Sequence, residues 1–437
     1  MRAAELPRPS KVCRQVLDGP RPVMAQDAES PIPAAKVLTC IELFAGGGGL
    51  ALGSALAGFQ HIGLIENDEW SCRTLRRNWS HFTRNGSEPW LWSRDVQLFP
   101  LSPLAGELSL LAAGAPCQPF SLGGKHRGKD DRRNLFPEVL RFVRCYRPKI
   151  VIVENVRGLL RQSFREYFDY IVAQLAHPSL APGENEDWFE HKVRIDSEHA
   201  KRPHEEPEYL VDYRLVNCAD YGTPQLRERV FVVAVRADLH SSWTWPQKTH
   251  SGEMLLQLQA NGQYWEERHI RRRSPSIAKR AAPGGADWVS SPSPWVTVRD
   301  AIADLPNAIS CGGLPALPNH VFIPGARRYY GHDGSDLDLP SKTLKAGVHG
   351  VPGGENMIVL DDGCVRYYTV REAARIQGFP DDYDFQGSRT NCMRQIGNAV
   401  PVGVAAVIAE RAKTLIETAS ICTVGPSRRK TEALVLG

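Results

Sequence analysis

The chain has 437 residues, 53 Lys and Arg against 49 Asp and Glu for a net charge of +4, 10 cysteines and 13 histidines. That length predicts one large domain plus a smaller one, and the longest apolar stretches, such as Val402 to Ala409, fall short of the roughly 20 residues a membrane helix needs. Cysteines without a CxxC pair fit neither a disulfide scaffold nor a zinc site and point to a reducing compartment, His191, His199 and His204 lack paired ligand spacing, and so small a charge excess does not separate a nucleic-acid binder from an ordinary enzyme.

Residues 1–36 are rich in Pro and mixed charge and read as a disordered tail, with Met24 a second candidate start. From Val37 to Val235, β-rich apolar runs alternate with helix-like segments, the pattern of a parallel sheet flanked by helices. The expected strands are Val37 to Phe44, Ile62 to Glu66, Leu108 to Ala113, Ile150 to Val153 and Val230 to Val235. In open α/β sheets ligands bind beyond the carboxyl ends of strands, and the first four runs each lead into a chemically loaded segment.

The first run continues as IELFAGGGGL from Ile41 to Leu50. Gly46, Gly48 and Gly49, preceded by Phe44 and Ala45, permit positive φ and a close backbone approach to a nucleotide, although a structural turn has the same look. Glu66, about 20 residues beyond the loop, is placed to accept hydrogen bonds from both hydroxyls of a ribose. The loop lacks a clean GxGxxG register, which argues against NAD. Asp95, after a further short strand, reads equally as an acceptor for an adenine amine or as a helix cap.

The stretch LLAAGAPCQPFS from Leu110 to Ser121 sets Cys117 between Pro116 and Pro119, a stiff turn suited to presenting a nucleophile. A free thiol has a pKa of about 8.5, so Cys117 needs N–H groups or cations nearby, and Lys125 and Arg127 follow; an ordinary buried cysteine is the plainer alternative. Ser121 to Phe136 mixes Gly123, Gly124 and Gly128 with Lys125, Arg127, Lys129, Arg132 and Arg133, a loop suited to closing over phosphates. Glu154 directly follows four β-branched residues, where desolvation raises a carboxyl pKa as a general acid requires.

Pro178 to Glu208 reads as a surface insertion without a regular element. Arg227 and Arg229 lie two apart before a strand and so point the same way in extended chain. From Arg236 to about Val365, Gly, Pro, Trp and Arg dominate, helical periodicity is poor, and a basic run spans Arg268 to Arg273. Thr369 to Gly378 and Val402 to Leu415 again look helical. The expected partition is a tail at 1–36, a main domain at 37–235, a second, mostly irregular or β domain at 236–367, a return to the main domain at 368–416 and a tail at 417–437.

The loop at Phe44 to Gly49, Pro116 to Ser121, Glu154-Asn155-Val156, QLRER over Gln225 to Arg229, REAARIQGFPDD over Arg371 to Asp382 and QIGNAVP over Gln395 to Pro401 occur in one order. In that set and order the chain resembles the cytosine-5 DNA methyltransferase family, in its stand-alone bacterial restriction-modification form. One departure is Glu42, where the family usually carries Asp. The resemblance implies an α/β fold with the Rossmann-like sheet of S-adenosylmethionine-dependent methyltransferases and a smaller target-recognition domain. It implies methyl transfer from S-adenosyl-L-methionine to carbon 5 of a cytosine rotated out of a short, specific duplex sequence, through a covalent Cys117 adduct at carbon 6.

By the same resemblance, Glu154 serves ring nitrogen 3, Arg229 the base carbonyl oxygen, and Arg227 supports the catalytic loop. The implied cofactor contacts are Phe44, Ala45, Gly46, Gly48, Gly49, Glu66, Asp95, Pro116, Asn398 and Val400. DNA contacts are expected from Gln118, Ser121, Lys125, Arg127, Arg132, Gln225 and Thr343, with Arg268, Arg271, Arg272 and Arg273 as further candidates. The expected partners are duplex DNA and a cognate restriction endonuclease that acts on the same site without direct complex; no metal and no membrane are expected, and the protein should be a cytoplasmic, DNA-associated monomer. A transfer-RNA cytosine-5 methyltransferase is the rival. That branch usually reads Pro-Pro-Cys with a short recognition region, whereas Ala115-Pro116-Cys117 and the region at 236–367 favour DNA.

Overall fold

The apolar runs pair into one seven-stranded sheet in the computed structural model, which describes residues 37–83, 88–116, 135–201, 207–273, 287–306, 308, 317–328, 330, 333–346 and 356–423. Cys117, Gln118, Ser121, Lys125, Arg127, Arg132 and the tail at 1–36 lie outside the described residues. In chain order the sheet and its helices are β1 (Thr39–Leu43), α1 (Gly49–Leu56), β2 (Gln60–Ile65), α2 (Glu69–Arg77), β3 (Trp90–Trp92), β4 (Leu110–Gly114), α3 (Phe136–Tyr146), β5 (Ile150–Val156), α4 (Arg165–Ala176), α5 (Trp188–Lys201), β6 (Tyr209–Asn217) and β7 (Glu228–Arg236).

The strand order is β3-β2-β1-β4-β5-β7-β6, with β7 antiparallel to both β5 and β6 and the other pairs parallel. The order reverses between β1 and β4, and such a reversal opens a crevice at the carboxyl ends of those two strands. The glycine loop leaves β1 there, and Gly114-Ala115-Pro116 leaves β4 beside it.

Both faces of the sheet are covered, which is why its central strands read as continuous apolar runs. Ile41, Leu43, Leu111, Ala113, Val151 and Val153 pack with Phe142 of α3 and Phe168 and Ile171 of α4. Alternate residues Cys40, Leu110, Ala112, Ile150 and Ile152 face the opposite way, onto Val404, Ile408, Ala412 and Leu415 near the chain's C-terminal end.

Three departures from the sequence reading have physical causes. The sheet is mixed because β7 runs antiparallel to both neighbours, and β6 was not expected because this edge strand shows neither strict alternation nor a continuous apolar run and leaves Leu210 and Leu215 exposed. The segment read as an irregular insertion contains α5, which buries only His191 and Ile195 and sets Trp188 against the rings of Tyr167 and Tyr170. The Tyr170 hydroxyl meets His191 Nδ1 at 2.7 Å, so a polar pair replaces the apolar stripe that periodicity seeks.

The region 236–367 is richer in helix than expected. It holds β8 (Lys248–Ser251), α6 (Gly252–Asn261), α7 (Gln263–Glu267), β9 (Trp288–Pro294), α8 (Val298–Ile302), β10 (Ser335–Asp336), β11 (Met357–Val359) and β12 (Val365–Tyr367). The strands form a β8-β9 pair and a β10-β11-β12 sheet. The buried positions of α6 are Gly252, Leu255 and Gln259, too weak an apolar signal to read as a helix face. Val298, Ile302, Leu337 and Ile358 share one core cluster with Ala51 and Leu52 of α1.

The chain then returns through α9 (Val370–Ile376), α10 (Arg389–Asn398) and α11 (Val402–Thr423). A capping box of Thr369 and Glu372 starts α9. QIGNAVP is the last turn of α10 and the link to α11, and α11 runs past Leu415 because Ile416 and Ala419 are also buried, so the expected tail at 417–437 begins as helix. Among the described residues no helix is long and apolar enough to cross a membrane.

Close contact between α1 and α11 depends on Gly53, where an added Cβ would lie 2.4 Å from Ala405 Cβ and 2.7 Å from Ala406 N. Gly53→Ala should therefore lower the unfolding free energy by about 1–3 kcal/mol in denaturant titrations. Gly403→Ala, at a position with nothing within 4 Å of the added carbon, should not lower it.

Candidate active site

The glycine loop is held in a conformation that an ordinary sequence would resist. Phe44 (φ 58°), Gly46 (φ 54°) and Gly48 (φ 86°) are left-handed, and for Phe44 this costs on the order of 1 kcal/mol. Ala45 N donates to Ile65 O at 3.0 Å, and Gly46 N donates to Glu66 Oε2 at 2.7 Å. The other Glu66 oxygen accepts from Asn67 N at 2.9 Å and Asp68 N at 2.7 Å, so one carboxylate ties the loop to the β2–α2 turn. Burial raises the Glu66 pKa while those N–H groups pull it down. From the opposite side, the Tyr383 hydroxyl donates to Gly47 O at 2.8 Å.

Behind the loop lies a cavity of about 390 Å³, within the range of small-molecule sites. Of the predicted cofactor residues, Phe44, Ala45, Gly46, Gly49, Glu66, Pro116, Asn398 and Val400 line it. Gly48 instead forms the N-terminal cap of α1. Asp95 is exposed and caps a single 3-10 turn, its Oδ1 accepting from Gln97 N at 3.0 Å, which is the structural one of its two readings. Glu42 also lines the cavity; burial pushes its carboxyl well above the usual range, and neighbouring His61 is lowered to about 4.

At the far wall, Glu154 ends the apolar stretch of β5 and pairs in register with Gly114, three residues before Cys117. Arg229 of β7 donates its Nε to Glu154 Oε1 at 2.8 Å, and both side chains are nearly buried. Burial raises the Glu154 pKa; the Arg229 and Arg227 charges oppose that without cancelling it. Asn155, beside it, donates to Ala115 O at 3.3 Å and so steadies the turn that leads to Cys117.

Arg227 does not line the cavity. It is fully buried, and its guanidinium donates to Gly397 O at 3.0 Å, Ala399 O at 2.9 Å and Leu344 O at 3.5 Å. These bonds join β7 to the segment that carries Asn398, while the catalytic loop that Arg227 is expected to support lies outside the described residues.

Two predicted DNA contacts have partners within the protein, Gln225 fully buried and Thr343 half-buried. Gln225 has no exposed surface and bonds Gln377 Oε1 at 3.1 Å and Leu344 N at 2.9 Å, while the Thr343 hydroxyl donates to Leu226 O at 2.7 Å. Both fasten the 341–344 segment to the start of β7. Within the basic run, Arg268 pairs with Asp300 and stacks on Tyr264, Arg272 donates to Ala260 O, and Arg273 pairs with Asp361; among the described residues these bonds leave out Arg271.

The sequence reading passed over Asn67, Asp68, Ser71, Arg394 and Gln395, which also line the cavity. Asp68 caps α2 through Ser71 N and pairs with Arg394 of α10 across the rim. Its capping role was legible in Asp68 preceding a helical stretch; the pairing with a residue more than 300 positions away was not. Among the described residues no group of three or more His, Cys, Asp or Glu side chains is arranged to hold a metal.

The family model for C-5 cytosine-specific DNA methylase matches residues 38–178, 191–286 and 325–414. Type II methyltransferase M.NgoMIV of Neisseria gonorrhoeae is 32% identical over 375 residues, covering 85% of this chain and 95% of the relative. Type II methyltransferase M.AplI of Arthrospira platensis is 30% identical over 387 residues, with 87% of each chain covered. A crystal structure described as a DNA modification methyltransferase encoded within an E. coli prophage superposes with a TM-score of 0.53 at 21% identity, over 87% of this chain and 99% of that one, a likeness of fold. The matches extend across the glycine loop, the Glu154 strand, the Arg229 strand and the return through α10, and the chain belongs to the C-5 cytosine-specific DNA methylase family.

Proposed function

We propose that the cavity binds S-adenosyl-L-methionine and that Cys117, Glu154 and Arg229 act on a cytosine of duplex DNA placed against it, so that carbon 5 is methylated within one short sequence. The observation that carries this reading is the buried Glu154–Arg229 pair on the wall of the cavity that the glycine loop also lines. The donor set fits the cofactor. Glu66 keeps lone pairs for ribose hydroxyls, and the first N–H groups of α1 suit a carboxylate. When bound, the cofactor supplies an electrophilic methyl group on a sulfonium.

Carbon 5 of cytosine is a poor nucleophile, so the Cys117 thiolate first adds to carbon 6 and pushes electrons into the ring. Glu154, its pKa raised by burial, delivers its proton to ring nitrogen 3 as that charge develops. Arg229 donates to the carbonyl oxygen at position 2, holds the base in plane and favours its negative charge. After carbon 5 has been methylated, its proton leaves, the bond between carbon 6 and Cys117 breaks with its electron pair returning to sulfur, and the nitrogen 3 proton returns to Glu154, which restores the neutral aromatic ring.

Reaching carbon 5 requires rotating the base out of the helix at a cost of a few kcal/mol. Contacts from Gln118, Ser121, Lys125, Arg127 and Arg132, together with Arg271, offset it through phosphate binding. In this reading a companion endonuclease shares the methylated sequence, and the protein works as a monomer on cytoplasmic DNA.

Cys117→Ser should retain DNA binding in gel-shift assays and lose turnover, and a duplex carrying 5-fluorocytosine should trap the unmodified protein as a denaturation-resistant adduct; full activity of the serine variant rules out the covalent route. Glu154→Gln should lower single-turnover methyl transfer by about 10²–10⁴-fold with cofactor affinity little changed. Weakened cofactor binding with normal single-turnover chemistry contradicts that role.

A further inference from the structure

Two ion pairs lie one step apart where β5 ends and β7 begins. Val156 of β5 is in register with Arg229 of β7, so the residues just beyond them, Arg157 and Glu228, meet at the edge of the sheet. The inner pair, Glu154 with Arg229, is nearly buried. In the outer pair Arg157 Nη1 donates to Glu228 Oε2 at 2.7 Å, and the two side chains are 69% and 44% exposed. An ion pair so open to water adds little to stability. Nor is it needed to hold the strands together, since β5 and β7 are already in register from Ile150 to Val156.

The position of the outer pair points to another use. Val156 lines the cavity, and Arg157 lies three residues beyond Glu154, about 10 Å along extended chain. A cytosine held by Glu154 and Arg229 remains joined to its sugar and to the phosphates on either side, which brings backbone charge to this edge of the sheet. The bond to Glu228 uses one of the five guanidinium N–H groups, and no other acceptor among the described residues bonds Arg157. The remaining donors suit phosphate, which a guanidinium can bind through two parallel N–H bonds. Glu228 alone at this edge would repel that phosphate; paired with Arg157 it steers the cation instead.

We propose that Arg157 is a DNA-binding residue whose guanidinium holds a backbone phosphate flanking the rotated cytosine, with Glu228 orienting it from the protein side. The proposal rests on the Glu154–Arg229 pair being the site of a cytosine in DNA. A phosphate contact carries no base information, so Arg157 fixes where the strand lies and leaves the choice of sequence to other residues.

The test measures, by fluorescence anisotropy, binding of the full-length protein with S-adenosylhomocysteine to a duplex carrying the sequence that it methylates. Glu228→Gln removes a negative charge from the path of the phosphate and should tighten binding about two- to fivefold. Adding Arg157→Gln to that variant should weaken binding about tenfold or more, to below the unmodified protein, and lower the slope of log Kd against log salt by about one. Affinity for S-adenosylhomocysteine, measured by calorimetry, should stay the same in both variants. A double variant that binds DNA as tightly as the unmodified protein shows that Arg157 only neutralises Glu228 and overturns the proposal, as does an unchanged slope. Parallel loss of cofactor and DNA affinity marks a strut between strands and overturns it too. Unmodified protein that neither binds nor methylates duplex DNA overturns the reading of the site itself, an outcome distinct from these.

Discussion

A guanidinium with no exposed surface must find acceptors inside the protein, and Arg227 finds them on two separate pieces of chain. Its bonds to Gly397 O and Ala399 O bracket Asn398 on the cavity wall, its bond to Leu344 O holds the end of the central region, and two residues further on Arg229 holds Glu154. One buried cation therefore fixes the Asn398 wall of the cavity and the Glu154–Arg229 pair with respect to each other. Gln225 and Gln377 extend the same net, since Gln377 Nε2 donates to Ile396 O at 2.6 Å while its Oε1 accepts from Gln225. The C-terminal return of the chain is thus part of the active site's frame.

The electrostatics of the cavity follow from that enclosure. Glu42, Glu66 and Glu154 are all buried with pKa values raised by desolvation, so the site disfavours bare negative charge until a cation or a base is present. Glu66 is partly relieved by three backbone N–H donors, and Glu154 by Arg229. Glu42 has less relief: one of its oxygens is unpartnered, and His61 lies 3.8 Å away, too far for a hydrogen bond and with its own protonation suppressed by burial. Desolvation of this kind favours the protonated form of a carboxyl group, the form that can deliver a proton.

Much of the site was legible in the sequence because its chemistry sits on short contiguous stretches at strand ends. Phe44 to Gly49, Glu66, Pro116 and Glu154 each follow an apolar run whose period and termination can be read directly. What could not be read is what depends on packing between distant segments. Gln225 and Thr343 look like polar groups free to meet DNA until the 225–226 and 343–344 stretches bond each other. Arg268 and Arg273 look like cations free to meet DNA until Asp300 and Asp361 arrive from elsewhere in the chain. The missed elements share a cause: β6 is only half covered, and α5 and α6 bury His191, Gln259 and a glycine where periodicity looks for aliphatic side chains.

The central claim, that this frame serves methylation of cytosine in DNA, is tested most directly by incubating the protein with S-adenosylmethionine labelled on its methyl group and either unmethylated genomic DNA or transfer RNA, then locating 5-methylcytosine by sequencing. The account predicts label in DNA at one short sequence and none in transfer RNA. Label confined to transfer RNA, or absent from both, would contradict it.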